Sequence, residues 1–213
     1  MASSVARLSR DALRRVARGS GERVTLRDLI LAALYTAGGK LSRLRLMKLL
    51  YIVSSHAPRA VQDVEFIPYR FGAWSEDVEH ELEMLEKKGV TESSREGVRL
   101  RDINEGERAW QAVEKRGNLA SLLRETLEIF NELDDRELLA FVYSVYGGYE
   151  ESEKKHILLD KRLRLETALK LYERGLISVT LAARVAGMNV LEFVDIARRK
   201  LGGLVTSDKL FEE

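Results

Sequence analysis

The chain contains no cysteine, which excludes disulfides, zinc-thiolate sites and thiol nucleophiles and leaves packing and charge to carry stability. It also lacks any apolar run near the roughly 20 residues that a membrane-spanning helix needs, so it does not read as a transmembrane protein. The N-terminal stretch MASSVARLSRDALRRVARGS is cationic but has neither the continuous apolar core nor the small-residue cleavage site of a secretory signal. The expected location is therefore the cytoplasm. Asn and Gln are scarce beside abundant Arg, Glu and Leu, a balance that points to a thermophilic or archaeal source.

The features of an enzyme are equally sparse. His56, His80 and His156 are scattered, and His80-Glu81 is not followed by a second histidine at the spacing of a zinc-protease helix. The Gly-Gly pairs lack the Lys-Ser/Thr or three-glycine spacing of a phosphate cradle. No carboxylate has an apolar sequence setting that would tune it for acid-base work. The sequence thus predicts no catalytic residue, no metal and no cofactor, and a protein that works by binding.

What is present is a globular composition, 45% hydrophobic and 32% charged over 213 residues, long enough for one large domain or two small ones. The formal net charge of +1 hides a partition. From Met1 to Arg27 seven arginines face only Asp11 and Glu22; from Glu76 to Glu137 eighteen acids face ten bases; from Lys161 to Lys200 nine bases face four acids. Basic ends around an acidic middle suit nucleic-acid contact at the ends, because Lys and Arg displace counterions from phosphate. Solvated helix faces with i, i+4 pairs give the same tally.

Local signals divide the chain. Thr25 and Asp28 form a capping pair, with Val24 and Leu29 as a hydrophobic staple, ahead of a helix LRDLILAALYTA that stops at Gly38-Gly39. A second helix, LSRLRLMKLLYIVSSH, puts Leu46, Leu49, Leu50 and Val53 on one face and ends before Pro58. VEFIPYRF reads as a short strand or an extended connector. Ser75 caps a third helix closed by Gly89, and VTESSREGVRLRDI reads as a β-hairpin. Three helices and a hairpin are the parts of a winged helix-turn-helix. From Glu105 to about Leu165 the chain reads as mostly helical, interrupted at Gly117-Asn118 and Gly147-Gly148, and Tyr143, Tyr146 and Tyr149 form a stripe expected to pack in the core.

The runs LMKLLYIVSSHA, FIPYRFGAWSEDVEHELEMLEKKGV and RELLAFVYSVYGGYEESE resemble the Panacea-type antitoxin domain, over about residues 25 to 155. The resemblance implies a winged-helix-like module and, as a partner, a toxin protein. Gly147-Gly148 departs from it, standing where a proline-containing turn is expected.

The sharpest motif is LETALKLYERGLISVTLAARVAGMNVLEFVDIARRKLG. A helix-turn-helix needs a small residue where its helices meet, a glycine four positions later for the turn, and apolar residues around them. Ala183 and Gly187 meet the first two needs, and Ala182, Ala186, Met188, Phe193 and Ile196 the third. Ser178 caps the first helix, while Asn189 and Glu192 form a capping pair for the second with Met188 and Phe193 as its staple. Residues 168 to 202 resemble a family of small uncharacterised prokaryotic helix-turn-helix proteins often encoded beside toxins.

On the second helix the predicted outward residues are Asn189, Val190, Leu191, Val194, Asp195 and Arg198. Arg198, Arg199 and Lys200, with Thr180 and Arg184 on the preceding helix, can hold phosphates, and Asn189 can read an adenine edge. Val190, Leu191 and Val194 suit thymine methyls or a dimer or partner seam equally. The helix after Ser75 is too acidic to enter a groove and suits a basic protein partner. In that part of the chain the candidate DNA contacts are Arg43, Arg45 and Lys48 on the second helix and Arg95, Arg99 and Arg101 on the hairpin.

The expected protein is mainly α. A basic arm spans residues 1–23, a winged-helix-like domain with a helical extension spans 24–157, and a helix-turn-helix domain spans 158–213. It is expected to bind double-stranded DNA as a homodimer and regulate transcription, the alternative being an antitoxin or adaptor whose main ligand is a toxin protein.

Overall fold

A computed structural model describes residues 23–201. Most of the basic arm, and residues 202–213, lie outside the described residues.

The first part has the element order of a winged helix. Helix α1 (Leu26–Thr36) starts where the Thr25 hydroxyl accepts the Asp28 N–H at 3.0 Å. Strand β1 (Lys40–Leu41) leads to α2 (Arg43–His56), capped by Ser42, and then to α3 (Glu76–Lys87), capped by Ser75. Strands β2 (Thr91–Ser94) and β3 (Gly97–Leu100) form the expected hairpin, and β1 joins it in a three-stranded antiparallel sheet of order β1-β3-β2. The register pairs Leu41 with Val98 and Thr91 with Leu100. Among these, Leu41, Val98 and Leu100 are all buried, so the sheet turns one face to the helices.

Three more helices enclose this unit: α4 (Ile103–Glu114), α5 (Gly117–Asn131) and α6 (Asp135–Tyr146). Helix α1 lies at the centre, with Leu29 to Leu34 fully buried and α4 as its most extensive partner. Arg27 of α1 donates to Glu105 of α4 at 2.7 Å across that seam. Helix α6 begins with a complete capping box, in which Asp134 accepts the Glu137 N–H and Glu137 accepts the Asp134 N–H. Its tyrosine stripe packs inward: Tyr143 is 2% exposed, and Tyr146 and Tyr149 lie against the core.

The helical stretch is interrupted at Gly147-Gly148, as the sequence predicts, and the chain then takes turns and a 3-10 segment (Lys155–Leu159) before α7 (Lys161–Glu173). Gly147 and Gly148 both adopt positive φ, a conformation that a helix interior excludes. Helices α8 (Val179–Ala186) and α9 (Val190–Leu201) complete the described chain. Lys170 of α7 donates to Glu137 of α6 at 2.6 Å, and Arg174 to Glu132 at 3.0 Å. The buried residues of the two parts join in one hydrophobic cluster. No helix among the described residues is long and apolar enough to cross a membrane.

The stretch Val64–Phe71 is an extended connector. Ile67 and Trp74 exchange backbone hydrogen bonds of 2.8 and 2.9 Å, and Tyr69 and Gly72 close a tight turn between them. Gly72 has φ +82°, and a Cβ there would lie 2.6 Å from the Tyr143 ring, so only glycine lets the turn lie on α6. The far end of the loop is held by Lys48, whose ammonium donates to the Ala73 carbonyl at 2.7 Å.

Lys48 is 2% exposed, and burial lowers its amine from 10.5 to about 8. The native state therefore binds fewer protons than the unfolded chain between those values, and stability rises with pH across that window as the cost of the buried charge is relieved. The span corresponds to about 3 kcal/mol. Lys48→Met lacks this term, so its stability relative to the parent protein should fall by about that amount between pH 7.5 and 10.5 in urea titrations. Parallel pH dependence in the two proteins would show that Lys48 is not the titrating group.

Candidate nucleic-acid interface

The C-terminal motif folds as two helices joined by a tight turn. Ser178 opens α8 by accepting the Leu181 N–H at 3.2 Å. At its other end Gly187, in the left-handed region at φ +72° and ψ +38°, donates to the Arg184 carbonyl, and Met188 donates to the Ala183 carbonyl, both at 3.1 Å. This pair of bonds is a Schellman closure, which satisfies carbonyls that the helix end would otherwise orphan. Asn189 then starts α9 by accepting the Glu192 N–H at 2.9 Å. The return half of the expected capping box is replaced by a contact between the two side chains, Asn189 Nδ2 to Glu192 Oε2 at 3.5 Å.

Helix α9 buries Phe193, Val194 and Ala197. The Phe193 ring meets Tyr172 of α7 edge-on at 5.6 Å between centroids. Val194 was expected to face outward, and its 7% exposure corrects that. It falls on the same stripe as Phe193 and Ala197, at helical spacing i, i+1, i+4. The remaining outward residues, Asn189, Val190, Leu191, Asp195 and Arg198, are exposed, as are Arg199, Lys200, Thr180 and Arg184. Leu191 reaches 79% exposure. Among the described residues neither Arg198 nor Lys200 has an ion-pair partner, while Arg199 donates to the Asp195 carbonyl one turn back.

A residue absent from the sequence reading holds the turn. Arg164 of α7 sends its guanidinium to the carbonyls of Val185 (2.8 Å), Leu158 (3.2 Å) and Arg184 (3.3 Å). It lies directly against Gly187, where a Cβ would sit 2.4 Å from its Nη2. Arg164 was invisible beforehand because its partners are backbone carbonyls up to 21 residues away, which leave no trace in composition or spacing.

The candidates of the winged-helix part fare differently. Lys48 is corrected: its ammonium is buried on the Ala73 carbonyl and is closed to phosphate. Arg45 is corrected too. Its guanidinium donates to the Phe130 and Leu133 carbonyls, each at 2.6 Å, and pairs with Asp135 at 3.1 Å, closing the end of α5. Arg43 is exposed but paired with Glu79. On the hairpin Arg101 pairs with Glu92 at 2.5 Å, while Arg95 and Arg99 are exposed. Helix α3 buries Val78, Leu82 and Leu85 and presents Glu76, Asp77, Glu83 and Glu86 to solvent, a face that phosphate would repel. Among the described residues no three His, Asp or Glu side chains converge as a metal site would require.

Because Gly187 is both left-handed and pressed against Arg164, Gly187→Ala should cost about 2–4 kcal/mol in chemical denaturation. Arg164→Ala should cost about 2–3 kcal/mol through its lost charged hydrogen bonds. In the double variant the new methyl occupies the vacated space, so the combined loss should fall short of the sum by more than 0.5 kcal/mol, roughly the threshold for coupling. Strict additivity would sever the two residues.

Comparison with known proteins bears on this same segment. A family described as an uncharacterised protein family (UPF0175) matches residues 149–201, and the match does not extend into the winged-helix part. A relative titled "UPF0175 protein" from Aeropyrum pernix is 43% identical over 42 residues, which are 20% of this chain and 47% of that protein. The chain thus spans about half the length of the curated relative it matches. No solved structure matches. The C-terminal segment of this chain, from the turn after α6 through α9, is similar to UPF0175.

Proposed function

We propose that the protein acts by binding rather than catalysis, as a DNA-binding regulator whose reader is the α8-turn-α9 unit. One observation carries this reading: the outer face of α9 is open to solvent and ends in Arg198, Arg199 and Lys200, with Arg198 and Lys200 lacking ion-pair partners among the described residues. The corresponding helix of the winged-helix part, α3, presents carboxylates instead. Thr180 and Arg184 extend the contact from α8, and Asn189, Val190 and Leu191 form the end of α9 suited to base edges and thymine methyls. A single half-site gives little affinity, so the active species is a homodimer on double-stranded DNA. Arg95 and Arg99 on the hairpin offer a second basic patch for phosphates.

A protein ligand for the same helix is the competing reading, favoured by the 79% exposure of Leu191 beside Val190 at 37%. Mobility shifts on duplexes covering the protein's own upstream region, titrated with salt, separate the two. Arg198→Ala with Arg199→Ala should weaken DNA binding at least tenfold and lower the salt slope by about 2, one unit per lost phosphate contact. Unchanged affinity and slope, with α9 folded by circular dichroism, would remove the motif as reader and leave the protein-ligand reading standing.

A further inference from the structure

The connector between α2 and α3 carries an acidic, aromatic surface that the DNA reading leaves unused. A groove of about 530 Å³ runs beside it, with Tyr51, Val64 and Phe66 as apolar lining and Asp63, Glu65 and Asp77 as carboxylates. Ser54, on the same wall, has its Oγ buried without a hydrogen-bond partner among the described residues. The same connector continues into the braced turn, where Ile67, Tyr69 and Phe71 are 44%, 47% and 47% exposed. That exposure is built in. Ser152 Oγ and the Glu153 N–H both donate to the Arg70 carbonyl, and Tyr143 locks Ser152 through a 2.7 Å hydrogen bond. Large apolar side chains close in sequence and kept in solvent by a hydrogen-bonded loop are a mark of an interface.

The place where the described chain begins, and the charge of the sequence before it, point to the occupant. Arg23, the first described residue, already pairs with Asp63 of the groove wall at 2.5 Å. The neighbouring Val24 N–H donates to Ala60 O, and Gln62 N–H to Val24 O, each at 2.8 Å. The described chain therefore begins at the groove wall. Residues 1–22 carry Arg7, Arg10, Arg14, Arg15 and Arg18 against Asp11 and Glu22, with Val5, Leu8, Leu13 and Val16 between them. Arg18 and Arg15 are within about 18 and 28 Å of Arg23 at full stretch, enough to span the groove. Exposed ion pairs are individually weak, but the tether supplies an effective concentration in the millimolar range, so several together suffice. The carboxylates also disfavour phosphate or an anionic membrane on this surface.

We propose that the basic N-terminal arm folds back onto this acidic, aromatic surface, its arginines on Asp63, Glu65 and Asp77 and its apolar residues over Ile67, Tyr69 and Phe71. On the DNA reading above, the arm is then a phosphate-binding element held in reserve until a polyanion competes for it. The docking itself does not depend on that reading and is tested without DNA.

The arm's arginines are trypsin sites, so its cleavage rate in the full chain reports docking. At 50 mM salt, D63N/E65Q/D77N should expose the arm to cleavage several-fold faster than the parent protein, and 500 mM salt should bring the parent to the variant's rate. Because the chain has no cysteine, spin labels on S9C and S55C give an independent distance. A short-distance population should be present in the parent sequence and lost in R14Q/R15Q/R18Q, which leaves the groove intact. Equal cleavage rates with and without the carboxylates would overturn the proposal, as would a spin-label distribution indifferent to the arginines. Protection that disappears on dilution would mean the arm docks on a second copy, and overturns it equally.

Discussion

Buried carbonyl groups at the ends of helices and loops must find a donor, and much of this structure follows from how the chain supplies one. An α-helix leaves its last carbonyls without partners, and one sealed inside the protein costs about as much as a broken hydrogen bond. Two devices meet the need. In one, a glycine turns the chain back, as Gly187 does after α8. In the other, which can act at the same end, a long cation reaches the carbonyl from a distance: Arg45 to the end of α5, Lys48 to Ala73, Arg164 to the α8 end, and Lys170 to the Glu132 carbonyl. A guanidinium suits this task because its planar fork of donors can satisfy several carbonyls at once.

That division explains what could be read from the amino acids and what could not. Helix starts were legible because a cap is a local event: Thr25, Ser75, Ser178 and Asn189 each bond an N–H three residues on. The Gly187 turn and the hairpin were legible for the same reason. The purpose of a cation was not. In sequence, Arg45 and Lys48 sit beside Arg43 on a helix that looks like a basic surface, yet their partners lie 85 and 25 residues away. Basic side chains were thus assigned to phosphate that the fold uses on its own backbone. Val194 failed differently. Val190, Leu191, Phe193 and Val194 are all apolar, so the pattern alone does not say which two face the core, and packing against Tyr172 decides it.

The charge partition acquires a similar spatial meaning. Much of the acidic middle serves structure, as Glu79 pairs with Arg43, Glu105 with Arg27 and Glu137 with Lys170. On α3 itself Glu76, Asp77, Glu83 and Glu86 face solvent, and Glu65 lies in the connector before it, its N–H bonded to Asp77. The winged-helix arrangement therefore keeps its geometry while its usual reading helix carries the charge least suited to a groove. Fold and function separate here: the arrangement of helices and sheet does not by itself fix what the presented face of α3 binds, and its carboxylates disfavour phosphate.

The C-terminal unit shows the reverse relation between geometry and charge. Glu192 in the first turn of α9 and Arg198, Arg199 and Lys200 in its last are the signs that the helix dipole favours on its own. The basic end thus has a structural reason to exist before any ligand is considered. What the dipole does not require is that the helix be pinned so firmly. Phe193 on Tyr172 holds α9 against α7, while the Gly187 closure and the Arg164 clamp, in contact with each other, hold the turn before it. The closure and the clamp also satisfy carbonyls that the end of α8 would otherwise orphan, so the fold alone accounts for them. On the binding reading proposed above they have a second consequence: a helix whose orientation is set in advance meets its ordering cost on folding and not on binding.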